Sequence, residues 1–120
     1  MAHYLSSCEK VEFVNYPTLE GDFYHERAKK YLPKGASGVI AFSIKGGREA
    51  AARFIDSLKL ASLVVHVADI RTCVLHPATS THRQLTDEQL VAAGITPGLI
   101  RLSVGLENID DIIEDIEQAL

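Results

Sequence analysis

At 120 residues, 47% of them apolar and 23% charged, the chain fits one ordered domain large enough to bury a core without staples. A formal net charge of −4 without any Lys/Arg run argues against a nucleic-acid surface, and no apolar stretch approaches the roughly 20 residues that cross a bilayer. Cys8 and Cys73 are too few for a disulfide framework, and no apolar segment follows Met1-Ala2-His3 to make a signal peptide, so a reducing, cytoplasmic setting is expected.

Met1 to Ser7 reads as the last turns of a helix that has no recognisable start, which is how a cut chain looks. Val11, Phe13, Val14 and Tyr16 then predict a strand that Pro17 stops. In "GDFYHERAKKYL", Asp22 is the expected N-cap of a helix carrying Phe23, Arg27, Ala28 and Tyr31, closed by Pro33-Lys34-Gly35. "SGVIAFSI", Ser37 to Ile44, is a near-continuous run of β-favouring residues and predicts a central strand. After Lys45-Gly46-Gly47, "REAAARFIDSLKL" places Ala51, Phe54, Ile55 and Leu58 on one helical stripe.

"SLVVHV" and "TCVLH" predict two short strands. Thr86 with Gln89 three residues on has capping-box spacing and opens a helix over Asp87 to Ala93, which Gly94 ends. Gly98 to Val104 predicts another strand. The closing "ENIDDIIEDIEQAL" puts Ile109, Ile112, Ile113 and Ile116 on one stripe opposite five acids, the pattern of an amphipathic helix lying on a sheet. Strands that alternate with helices predict an α/β domain of the two-layer α+β type, a mostly antiparallel sheet with helices packed on one face.

Among chemistry-bearing residues, Arg101 stands out. The strand period of two puts Leu99, Arg101 and Ser103 on one face and Ile100, Leu102 and Val104 on the other. A guanidinium in the middle of such a strand is costly unless it meets an anion. Two readings stay open: a fork that holds a ligand carboxylate, or a peripheral arginine paired with an internal acid. His66, His76 and His82, with Cys73 or Asp69, offer metal-binding atoms, but no compact ligand spacing joins them, so no metal is expected. No GxSxG elbow supports a Ser/His/Asp triad. "KGGRE" serves equally as a phosphate cradle or as a tight strand-to-helix turn.

The segments "YHERAKKYLPKGASGVIAFSIKGGREAAARFIDSLKLASLV", "HPATSTHRQL" and above all "LIRLSVGLE", Leu99 to Glu107, carry a resemblance. From Val11 to Leu120 the chain resembles the small C-terminal domain of the Cys/Met-metabolism pyridoxal-phosphate enzymes. These fold-type-I proteins include cystathionine synthases and lyases, methionine γ-lyase and the O-acylhomoserine sulfhydrylases, and the O-acetylhomoserine sulfhydrylase branch is the most similar.

That resemblance implies that residues 1–10 are the tail end of an inter-domain helix and residues 11–120 the small domain. The large domain, with its pyridoxal 5'-phosphate and the lysine that binds it, would be absent from this chain; Lys45 in "IKGG" does not match that lysine. The implied parent is a cytoplasmic homotetramer or dimer of methionine biosynthesis. It would exchange the acetate of O-acetyl-L-homoserine for sulfide at Cγ to give homocysteine, with the cofactor as electron sink. Arg101 matches the arginine that grips the substrate α-carboxylate, and Thr81 a threonine that supports it. His66 stands where lyases carry serine and many sulfhydrylases asparagine near that carboxylate, and Ala68-Asp69 where many relatives have glycine followed by an acid or glycine. No covalent cofactor contact and no catalytic residue is expected here, so the chain alone should be inactive. The alternatives are the same domain of a cystathionine synthase or γ-lyase, and a free-standing binding or assembly module.

Overall fold

The computed structural model describes residues 1–120. In chain order the elements are α1 (Ala2–Ser7), β1 (Val11–Asn15), α2 (His25–Tyr31), β2 (Val39–Ile44), α3 (Gly47–Ser57), β3 (Ser62–Leu63), β4 (Cys73–Leu75), α4 (Asp87–Ala92), β5 (Leu99–Ser103) and α5 (Ile109–Ala119), with a 3₁₀ turn at Pro77–Thr79. The five strands form one sheet in the order β1-β2-β5-β4-β3. Every pairing is antiparallel except β3 with β4.

Alternation along the strands divides the sheet into two unlike faces. Ile40, Phe42 and Ile44 of β2, Ile100 and Leu102 of β5 and Val74 of β4 point to one side and form the core with Ala2 and Leu5 of α1, Ala51, Phe54 and Ile55 of α3, and Ile112 and Ile116 of α5. Phe42 meets Phe54 edge to face, centroids 6.0 Å apart. Helices thus cover one face, as expected. The opposite face carries Ala41, Ser43, Cys73, Leu75, Leu99, Arg101 and Ser103, with Ser43, Cys73, Leu75 and Ser103 buried. Loops cover it rather than helices: Thr96 bonds Ser43 at 3.0 Å, and the backbone N–H of Ala68 reaches Ser103 Oγ at 3.2 Å.

Three local expectations need correction. Asp22 does not cap α2; Oδ1 accepts from the Tyr24 N–H and Oδ2 from the Tyr16 N–H, so it ties the end of β1 to the approach of a helix that starts only at His25. The strand expected over "SLVVHV" shortens to Ser62–Leu63, because the chain then lifts off the edge of the sheet. The acids of α5, whose place opposite the isoleucine stripe predicts a solvated face, are not all solvated. Asp115 is buried and accepts the N–H groups of Lys59, Leu60 and Ala61, closing the turn after α3. The capping box at Thr86 and Gln89 forms as predicted, and Gly94 takes a left-handed φ of 77° just past the helix.

Candidate functional site: a strand arginine beneath an edge loop

Arg101 lies mid-sheet, in register with Ala41 of β2 on one side and Leu75 of β4 on the other. Neither neighbour offers it a polar partner. Its Nη2 instead donates to the backbone carbonyls of Val65 at 2.7 Å and His66 at 3.3 Å, in the loop that follows β3. Its Nε is buried with no hydrogen-bond partner. None of the ion pairs of the chain includes it, so the reading in which an internal acid neutralises Arg101 finds no acid. A guanidinium fixed at one end by neutral carbonyls, with an orphaned buried N–H, retains its full charge and a donor to spare. That arrangement suits an anionic oxygen ligand, a planar carboxylate above all.

The loop is built from polar contacts. Val64 N–H bonds Val74 O at 3.2 Å, continuing the edge pairing by one residue. Ala68 has φ 58°, the sole non-glycine residue of the chain with positive φ. Asp69 Oδ1 accepts from the Arg71 N–H at 3.0 Å, and Oδ2 from Arg71 Nη2 at 3.1 Å; Oδ2 also lies 3.6 Å from His66 Nδ1. Hydrogen bonds from Arg71 hold the Asp69 carboxyl well below the usual carboxylate range. Beyond the loop, Glu107 accepts from the Thr72 N–H and hydroxyl at 2.6 and 2.9 Å, fixing the entry to β4. Burial pushes the Glu107 carboxyl up, and those hydrogen bonds outweigh it and leave it lowered.

The structure brings His66 to Arg101 through its backbone carbonyl, while its imidazole is largely exposed beside Asp69. It does not join Thr81 to Arg101: the Thr81 hydroxyl is exposed and bonds His82 Nδ1 at 2.9 Å. The same loop holds His76, fully buried. Its Nε2 faces the Pro97 carbonyl at 2.8 Å, which can only accept, so Nε2 carries the proton and Nδ1 takes the Thr79 hydroxyl at 3.0 Å. Arg48 of α3 closes the loop, donating to Asp87 at 2.7 Å and to the carbonyls of Ala78 and Leu85. No three His, Cys, Asp or Glu side chains come together in a way that could hold a metal ion. Every lysine is exposed and none lies in a strand.

Reading by residue type missed the Val65 carbonyl, which looks like any other carbonyl in a sequence, and the bond from the Arg71 N–H to Asp69 two residues before it, an Asx turn that the sequence could have suggested.

The family model for Cys/Met-metabolism PLP-dependent enzymes matches residues 1–120. The chain belongs to this family of pyridoxal-phosphate-dependent enzymes. It is 50% identical to the O-acetyl-L-homoserine sulfhydrylase of Leptospira meyeri, over all of this chain and 27% of that protein. It is 48% identical to the homocysteine synthase of Schizosaccharomyces pombe, over all of this chain and 28% of that protein. It is also 48% identical to an L-methionine gamma-lyase of Fusobacterium nucleatum subsp. polymorphum, over 30% of that enzyme. The crystal structure of a putative O-acetylhomoserine (thiol)-lyase from Campylobacter jejuni, which contains a pyridoxyl-lysine, superposes with a TM-score of 0.88 at 44% identity, over 98% of this chain and 28% of that one. The chain thus spans little more than a quarter of the length of these relatives. Its mixed α/β fold is that of this part of a fold-type-I enzyme.

Proposed function

We propose that this chain is the substrate-clamping small domain of an O-acetylhomoserine sulfhydrylase, in which Arg101 binds the α-carboxylate of O-acetyl-L-homoserine. The parent would release acetate from Cγ, take up sulfide there and yield homocysteine. Residues 1–10 would end the helix that joins this domain to a large domain, with the whole assembled as a dimer or tetramer. Pyridoxal phosphate, bound by the rest of the polypeptide, supplies the electron withdrawal; without that part the chain is inactive.

The observation that carries this reading is the guanidinium of Arg101, held on one side by the Val65 and His66 carbonyls and left with Nε unpartnered. Two parallel N–H···O contacts fix both the position and the plane of a carboxylate. They thereby orient the Cα bonds of the amino acid that bears it. Thr81 would support the clamp only from a distance, through the loop that His76 and Arg48 hold in place.

Arg101→Ala in the full-length enzyme should lose about two to four kcal/mol of transition-state binding, read as kcat/KM. A change of less than about threefold refutes the assignment. The similarity to methionine γ-lyases favours one second reading, a γ-lyase. Release of methanethiol from methionine by the full-length enzyme, with no homocysteine formed from O-acetylhomoserine and sulfide, would establish it.

A further inference from the structure

The geometry points to Asp69 as the residue that positions the Arg101 guanidinium, acting through His66. The inference rests on the carboxylate-binding role proposed above for Arg101.

The carbonyls that hold Arg101 Nη2 belong to a segment without a hydrophobic anchor. Val65, Val67 and Ile70 are 57, 52 and 72% exposed, so polar contacts must define its path. Val64 N–H to Val74 O at 3.2 Å precedes the carbonyls, and Ala68 N–H to Ser103 Oγ at 3.2 Å and Leu106 N–H to Ile70 O at 2.8 Å follow them. The contact that returns to residue 66 is the Asp69 carboxylate. Its Oδ2 lies 3.6 Å from His66 Nδ1 and 3.1 Å from Arg71 Nη2, while Oδ1 takes the Arg71 N–H. One side chain thus bonds Arg71 at the end of the loop and comes within ion-pair distance of His66 at its start, around the left-handed backbone of Ala68.

Charge is consistent with the role. Arg71 neutralises Asp69, so the tether adds no net negative charge to a site that receives an anion. The other end of Arg101 gives it no alternative hold, because Nε has no protein partner. When the contact between Asp69 and His66 is removed, the His66 carbonyl is freer to leave Nη2, while the Val64–Val74 bond keeps Val65 in place, so the guanidinium keeps its plane but is held less firmly. A clamp loosened alike for bound substrate and transition state raises KM and spares kcat.

The test uses the full-length holoenzyme with O-acetylhomoserine and sulfide, and four variants: Asp69→Asn, His66→Ala, their double, and Arg101→Ala. Asp69→Asn is expected to raise KM for the amino acid about tenfold with kcat within about twofold. The double variant should be no worse than the weaker single one, because both remove the same tether. If Asp69→Asn yields no folded enzyme, His66→Ala alone carries the test, with the same rise in KM expected. An unchanged KM in Asp69→Asn beside an impaired Arg101→Ala overturns the positioning role and leaves that of Arg101 intact. A rise of equal size in the His66→Ala background overturns the route through His66. An unimpaired Arg101→Ala removes the proposed function, and this inference with it.

Discussion

Arg101 Nη2 donates to the carbonyl oxygen of Val65 at 2.7 Å, across 36 positions of sequence. The bond joins the centre of the sheet to the loop beyond its edge, and the Nε of the same guanidinium is left without a partner. Lysine cannot reproduce it. An ammonium is a compact charge without the planar fork, so it cannot hold two carbonyls and a carboxylate in fixed planes together. Arg101→Lys in the full-length enzyme should therefore lower kcat/KM about 10- to 100-fold, through loss of orientation more than of charge. Saturation kinetics with the amino-acid substrate decide it, and retention within about threefold would count against the clamp.

Ala68 adopts φ 58°, in the left-handed region that favours glycine. A Cβ in the left-handed region costs about 1 kcal/mol, and glycine removes that cost. Ala68→Gly should slow local opening of residues 66–71 about fivefold, measured by amide hydrogen exchange. Faster exchange would mean that the added backbone entropy of glycine outweighs the relieved strain.

Asp115 accepts three backbone N–H groups between 2.7 and 3.0 Å. Burial pushes its carboxyl up, and the bonds from Ala61, Lys59 and Leu60 outweigh burial and leave it below the usual range. A carboxyl lowered on folding stabilises the fold above its unfolded value, near pH 4, and that contribution is lost as pH falls through the folded value. Asp115→Ala should cost about 2 kcal/mol by removing the shared acceptor of three backbone N–H groups, and Asp115→Asn about 1. Denaturant midpoints across the acid range check both, and a variant as acid-sensitive as the parent would contradict the account.

His76 has the same sign of linkage in a different window. Burial, aided by the charge of Arg48, lowers its ionisation, and the bond to Pro97 opposes this without prevailing. The neutral form is the folded one. Its contribution is complete above about pH 6.5, the ordinary histidine value, and declines as pH falls from there towards the lowered folded value. Replacing it with a side chain that does not titrate, His76→Gln, should flatten the stability profile below about pH 6.5. A parallel profile would show that other groups set that slope.

Most of the fold was legible because it rests on periodicity. The stripe of Ile112 and Ile116, the run Ile40-Phe42-Ile44 and the capping box at Thr86 each repeat at the spacing of their own element, and the structure places them as that spacing requires. Asp22 and Asp115 were misread for a shared reason. A carboxylate can satisfy local or distant N–H groups equally well, and only the packed chain selects which ones it meets.

The sequence by itself determined the elements, the two unlike faces of the sheet, the placing of Arg101 on the face away from the helices, and the family likeness. Tertiary structure alone decided what Arg101 touches. Backbone carbonyls are chemically alike at every residue, so no residue pattern signals that those of Val65 and His66 will meet a guanidinium on β5, or that Thr81 will turn to His82 instead. Those contacts follow from where the edge strand ends, and that depends on how the whole sheet assembles.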